Sequence, residues 1–278
     1  MKILFDNLSA SCSKKTTQLY STSFSLGIHF LKTGFHEPIY GIYGFVRLAD
    51  EIVDSFHDYD KYHLMEKIRT DTVEAIRDRI SINPILNSFQ KVVHTYNIEW
   101  ELIDTFLKSM EMDLKKVVHN SDSYEQYILG SAEVVGLMCL RVFSEGDEKI
   151  YQELKPYAMK LGAAFQKVNF LRDLQADYLQ LGRTYFPGVN FDHFSQKEKE
   201  AIQLEIENDF RDALVGIKKL PSGARRGVYL AYYYYHKLFI RIKATPAEKV
   251  MNARIRIPDY NKIGLMFRSL VRHQFDLL

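Results

Sequence analysis

Read only for its apolar and polar positions, the chain is helical almost from end to end. Residues 11–31 open on a run of Ser and Thr suited to capping a helix, then place Phe24, Ile28 and Leu31 four and three apart. Residues 38–56 give a strongly apolar helix with Pro38 placed for its first turn, where a missing N–H does no harm. Polar-faced helices follow over 60–80, 84–96 and 98–118, punctuated by Asn and Pro. A second strongly apolar helix fits 123–144 and stops at Glu145, Gly146 and Asp147. A helix over 148–180 leads into a loop from Gly182 to Asn190. Helices over 195–220 and 222–244 and a shorter one over 259–275 close the pattern. With no repeat, low-complexity tract or linker to divide it, the pattern predicts an all-α fold, a single domain over residues 1–278.

Composition supports this and excludes several functions. Only 14 Gly and 7 Pro in 278 residues are too few breakers for a loop-rich or all-β fold. A formal net charge of +2 supplies no field for nucleic acid, so no such partner is expected. Cys12 and Cys139 make neither a disulfide framework nor a metal spacing, which suits a reducing compartment. The apolar run of MKILFDNLSA is short for a signal peptide and is interrupted by Asp6. No 18 uncharged apolar residues occur in a row, so no membrane span is expected and a cytoplasmic location is.

Two of the helices carry polar residues in a matched design. In IYGIYGFVRLADEIVD, residues 39–54, Tyr43, Arg47, Asp50 and Asp54 are spaced four, three and four and share one face. In QKVNFLRDLQADYLQLGRTYFP, residues 166–187, Gln166, Asn169, Asp173 and Asp177 are spaced three, four and four and share another. Both helices are otherwise apolar over most of their circumference, and a carboxylate on such a helix is costly unless a cation meets it. A single pair of acids four apart would read as a solvated stripe or an ion pair to a nearby Arg. Two pairs, each with an Arg within a turn, point instead to a divalent cation. Hard oxygen ligands without His or Cys favour Mg²⁺, with Mn²⁺ an admissible substitute, bridging to substrate phosphates.

These segments resemble the squalene/phytoene synthases, the head-to-head prenyltransferase family, over nearly the whole chain. STSFS (21–25) resembles the family's serine–phenylalanine motif, and YGFVRLADEIVD its first aspartate-rich motif. YILGSAEVVG (127–136) is similar to the central tyrosine–glycine helix, and residues 166–187 to the second aspartate-rich motif with the Gly-Arg-x-Tyr-x-Pro that follows. YHKLFIRI (235–242) and ARIRI (253–257) resemble, more loosely, the closing helix and basic segment. Glu51 departs from the second adjacent Asp found in many members, and keeps the charge.

The resemblance implies an isoprenoid-synthase-type bundle around a central apolar cavity, with the two acid motifs facing each other at its mouth. It implies that Asp50, Asp54, Asp173 and Asp177 ligate Mg²⁺, supported by Asn169 and Gln166. Arg47, Arg172 and Arg183 would clamp the diphosphate of a prenyl substrate, a plain salt bridge to the neighbouring Asp being the alternative for each. Arg254 and Tyr185 are further candidates for diphosphate contact, and Ser21 for substrate binding. Phe24, Tyr43, Tyr127 and Tyr235 match aromatic positions of the family's cavity, with Tyr43, Arg47, Tyr127, Arg172 and Tyr235 the candidate catalytic side chains. Ile28, a helical turn after Phe24, leaves more room than an aromatic residue would. The expected reaction is therefore phytoene formation from two geranylgeranyl diphosphates, with C15 donors, as in squalene or dehydrosqualene synthases, the nearest rival. A non-catalytic assembly protein with the same fold is a third reading, against which all four aspartates stand. No nucleotide cofactor is expected, because no glycine-rich fingerprint occurs. The closing segment 259–278 alternates apolar and basic residues, which suits packing on the bundle or, less readily, a peripheral membrane contact for product release.

Overall fold

Capping chemistry sets where the helices begin and end, and it corrects the periodicity at the outset. In the computed structural model, which describes residues 1–115, 120–189, 194–252 and 255, the helix expected over 11–31 is two. α1 spans Lys2–Tyr20 and α2 spans Thr22–His29. Ser21 between them is extended, and its Oγ accepts from the Phe24 amide at 3.2 Å, capping α2. α3 runs Thr33–Asp54, so Pro38 lies inside it rather than in its first turn. The carbonyl that loses its helical donor there belongs to Gly34, which is exposed, so water replaces the bond.

α4 (Lys61–Asp78) is capped by Asp60, α5 (Pro84–Tyr96) by Asn83, and α6 covers Trp100–Met112, ending earlier than expected. α7 (Ser121–Ile128) passes through one wide π-helical turn, Leu129–Glu133, into α8 (Val134–Phe143). This stretch is long and apolar enough to span a membrane, but half of its most apolar part is buried in the bundle, as suits a core helix. α9 (Glu148–Ala176) also ends in a π turn, Asp177–Leu181, and stops at Gly182 in the left-handed region. α10 (Gln196–Lys219), α11 (Ser222–Lys243) and an unforeseen short α12 (Ala247–Asn252) follow. The helix expected over 259–275 lies outside the described residues. Among those residues no strand occurs.

α2, α3, α8, α9, α10 and α11 enclose a largely apolar cavity of about 310 Å³, while α1 and α5 cover the outer side of α3. α9 contributes to its wall from Leu154 to Asn169, at helical spacing. The helices close on this space at glycines. A Cβ on Gly162 of α9 would stand 2.5 Å from the Ala132 carbonyl oxygen, and one on Gly227 of α11 2.5 Å from that of Gly27. Away from the cavity, α9 turns Lys167 toward α10, where it is buried against Asp209 at 2.6 Å and also meets Glu205.

Candidate active site

The acid faces of α3 and α9 meet at the mouth of the cavity. On α3, Arg47 pairs with both Asp50 and Glu51 while its guanidinium lies over the Tyr20 ring at 4.2 Å. On α9, Arg172 Nε donates to both carboxylate oxygens of Asp173, at 3.0 and 3.1 Å. Asp177 opens the π turn, without a hydrogen bond or ion pair to its carboxylate among the described residues. Burial, then the charges of Asp173 and Asp54, push the Asp177 carboxyl up to about 7. Asp50 rises to about 6 through burial and then its neighbour Asp54, with Arg47 and Arg183 pulling the other way. An acid of α9 thus feels an acid of α3, and the matched faces belong to one site.

Its donor set suits a hard divalent cation. Asn169 Nδ2 donates to Gln166 Oε1 at 3.4 Å and Gln166 Nε2 to Ser131 Oγ at 3.3 Å, whereas the buried Asn169 Oδ1 accepts no hydrogen bond among the described residues. That orphaned oxygen, near carboxylates whose pKa values burial and then mutual repulsion raise, is what a cation would satisfy. Among the described residues no three His, Cys, Asp or Glu side chains converge on one point, so an ion held here would need water or phosphate to complete its shell, as suits Mg²⁺.

Arg183 closes the site from beneath. The turn at Asp177–Leu181 and Gly182 returns the chain toward α3, where Arg183 Nη1 donates to Asp54 at 2.7 Å and Nη2 to the Val53 carbonyl at 3.3 Å. Nη2 also reaches the Asp113 carbonyl at 3.1 Å. With 7% of its surface exposed, this Arg joins three segments. Beside it lies Asp113, absent from the candidates above. It is buried, accepts from Tyr127 Oη at 2.5 Å and from Tyr185 Oη at 3.5 Å, and is pushed up to about 7 by burial despite Arg183 and Tyr127.

The aromatic candidates divide between two places. Phe24, Tyr43 and Tyr235 line the cavity with Phe165, which sequence reasoning counted only as core. Phe165 stacks on Tyr235 at 4.1 Å, and Phe24 stands 5.8 Å from both Tyr43 and Tyr235. Tyr127 does not line the cavity: its hydroxyl is drawn to Asp113 and its ring packs 5.1 Å from Tyr185, which stacks on Phe170 at 3.9 Å. Burial raises the phenols of Tyr43 (to about 12), Tyr127, Tyr185 and Tyr235, so all are neutral hydrogen-bond donors at neutral pH. Ile28 faces the cavity as expected, Ser21 caps α2, and Arg254 lies outside the described residues.

Comparison with known proteins identifies the family and the fold. The squalene/phytoene synthase family matches residues 17–261. A presqualene diphosphate synthase of Sinorhizobium fredii is 31% identical over 188 residues, 66% of this chain and 64% of that protein. A 4,4'-diapophytoene synthase of Staphylococcus haemolyticus is 27% identical, over 68% of this chain and 65% of that protein; this chain thus spans somewhat under two thirds of either relative. A phytoene synthase of Arthrospira platensis is 24% identical over 91% of the chain and 89% of its own length. Among solved structures, a dehydrosqualene synthase in complex with ligand superposes with a TM-score of 0.83 at 18% identity, covering 97% of this chain and 98% of that one, which shows the shared fold. Matched along most of its length and folded in the same way, the chain belongs to the squalene/phytoene synthase family.

Proposed function

We propose that the chain joins two geranylgeranyl diphosphates head to head to give phytoene. The observation that carries this is the cavity beneath the acid cluster. Along α9 its wall runs from Asn169 to Leu154, fifteen residues at about 1.5 Å each, or about 22 Å. Each five-carbon unit of an extended prenyl chain adds four chain bonds, about 5 Å. A C20 tail therefore fills that run, whereas a C15 tail leaves its far end empty. Ile28 lies in the same wall and keeps it open.

The residues divide the work. Asp50, Asp54, Asp173 and Asp177, with Asn169 Oδ1, would hold Mg²⁺. Bound there, Mg²⁺ supplies charge stabilisation to the departing diphosphate. Arg47 and Arg172 stand within a turn of these acids, where their guanidiniums reach the same leaving group. The tails lie in the cavity, and the faces of Phe24, Tyr43, Phe165 and Tyr235 exclude water and meet the allylic cation, at about 0.5–2 kcal/mol per contact. The double bond of the second donor attacks that cation, and loss of a proton from the adduct closes a cyclopropylcarbinyl diphosphate; its ionisation, rearrangement and loss of a second proton give the hydrocarbon.

The test is incubation of the purified protein with Mg²⁺ and, separately, C15 and C20 all-trans prenyl diphosphates, the hydrocarbon being identified by mass and absorbance. A C40 triene from the C20 donor is expected. A C30 product from the C15 donor alone would retain the head-to-head reaction and overturn the cavity-length argument. That second reading draws on the likeness to the dehydrosqualene synthase fold and on the diapophytoene synthase among the relatives.

A further inference from the structure

Two cations converge on the last turn of α3, and only one of them is matched by an acid. The Val53 carbonyl, one of those a helix end leaves without an intrahelical donor, accepts from Arg183 at 3.3 Å and from Lys61 Nζ at 2.8 Å. Arg183 has Asp54 and Asp113 beside it. Lys61 makes no ion pair among the described residues, and its other contact is His57 Nδ1 at 2.9 Å. An ammonium can only donate, so Nδ1 accepts and the imidazole carries its proton on Nε2, a further donor on an exposed residue. The nearby Asp60 is committed to the His63 amide at 3.0 Å. Lys61 is moreover the first residue of α4, the end of a helix where positive charge is disfavoured, and burial and then the charge of Arg183 lower its pKa, with Asp54 pulling the other way. Beside Asp54 the rim thus holds a cation that feels this carboxylate but makes no ion pair among the described residues.

We propose that Lys61 and His57 form an anion subsite at the rim of the acid cluster, which takes phosphate oxygens of a diphosphate. The inference rests on the prenyl diphosphate reading and adds two residues outside the matched acid faces. Lys61 and Arg183 share one carbonyl oxygen, so their nitrogens stand close enough for a single diphosphate to bridge. A cation drawn to Asp54 competes with Arg183 for that carboxylate, which turns Arg183 toward the same anion. The diphosphate is either that of a donor or the free product on its way out.

Titration calorimetry of inorganic diphosphate with Mg²⁺ tests this on the wild type, Lys61→Met, Lys61→Arg and His57→Phe. Lys67→Met, on the same helix but exposed and paired with Asp71, is the control. Lys61→Met is expected to weaken binding about tenfold, or ~1.4 kcal/mol, His57→Phe to weaken it less, and Lys61→Arg and the control to stay near wild type. A matching rise in KM for the prenyl donor assigns the subsite to substrate. A rise confined to the inhibition constant of diphosphate assigns it to product. If Lys61→Met lowers Tm but binds diphosphate as tightly as wild type, Lys61 is only a cap of α3 and the proposal is wrong; Lys61→Arg and His57→Phe decide the matter if that variant does not fold. If the wild type binds no diphosphate in the presence of Mg²⁺, the prenyl diphosphate reading falls as well.

Discussion

Asp113 sits between two groups that the chain separates by 14 and 70 residues, Tyr127 and Arg183. Buried and accepting from the Tyr127 hydroxyl, it orients that phenol while balancing the charge of Arg183, and so reaches the acid cluster through both. In Asp113→Asn the amide can still accept from Tyr127 but no longer balances Arg183. We expect kcat to fall about tenfold or more, ~1.4 kcal/mol of barrier, with KM changed less than threefold in steady-state assays. A role in packing alone would lower Tm and leave kcat intact. Ile28, 4% exposed in the cavity wall, carries the second prediction at this scale. Ile28→Phe adds a ring beside Phe24 and shortens the usable run, which should move the donor preference from C20 toward C15 by about tenfold or more, the low end of the discrimination one methylene of pocket fit supplies. An unchanged product profile in competition assays would sink the cavity-length argument. These residues were not equally legible. Asp50, Asp54, Asp173 and Asp177 stood out because helical spacing put each pair on an apolar helix. Asp113 and Lys61 are single charged residues beside turns, whose roles come from a chain return at Gly182 that no spacing reports.

At the scale of elements, the site depends on how closely the helices approach each other. Gly130 and Gly162 let the π turn at Leu129–Glu133 pack onto α6 and α9: a Cβ at Gly130 would lie 2.7 Å from the Thr105 carbonyl oxygen, and one at Gly162 2.5 Å from that of Ala132. Backbone cannot swing aside as a side-chain tip can. Gly162→Ala should therefore destabilise by about 1–3 kcal/mol, visible as a fall of several degrees in Tm, with loss of activity, since Gly162 also lines the cavity. A thermal melt indistinguishable from wild type would mean that α9 shifts freely, and with it the acid face. Both wide turns lie next to site residues, Ser131 at the first and Asp177 at the second, where the extra residue per turn re-aims the side chains that follow. Periodicity could not register these turns, because one wide turn leaves the apolar pattern nearly intact. Nor could it register the break at Ser21, where the pattern runs on and only the capping preference of Ser marks the end of α1. The all-α class and most helix centres were legible for the opposite reason, being set by long apolar stripes that packing must bury.

Taken as a whole molecule, the protein keeps its acids in an arrangement that works against its own stability. Asp50, Asp113 and Asp177 are all raised, to about 6, 7 and 7, above the ordinary Asp value of 3.8. For an acid raised on folding, the native state holds more protons than the unfolded chain. The contribution of these groups is therefore fully present below about pH 4 and is lost as pH rises through about 6–7. Without divalent cation, Tm should fall between about pH 5 and 7.5 through these groups, and Mg²⁺ with diphosphate should restore more at the upper pH than at the lower, since a ligand that binds only the native state stabilises it. Neutralising one acid separates this from other titrations. Asp177→Asn removes a carboxylate that has no ion pair among the described residues and is repelled by Asp173 and Asp54, with Arg183 only partly offsetting them. In the metal-free protein at pH 7.5 it should melt about 2–4 °C above wild type, roughly 1 kcal/mol in a chain of this size, while losing most of its response to Mg²⁺ and its turnover. Scanning calorimetry with and without Mg²⁺ at the two pH values checks all of this. A metal-free Asp177→Asn that melts below wild type would mean that the carboxylate is satisfied by the fold itself, and that the acid cluster is not held open for a cation.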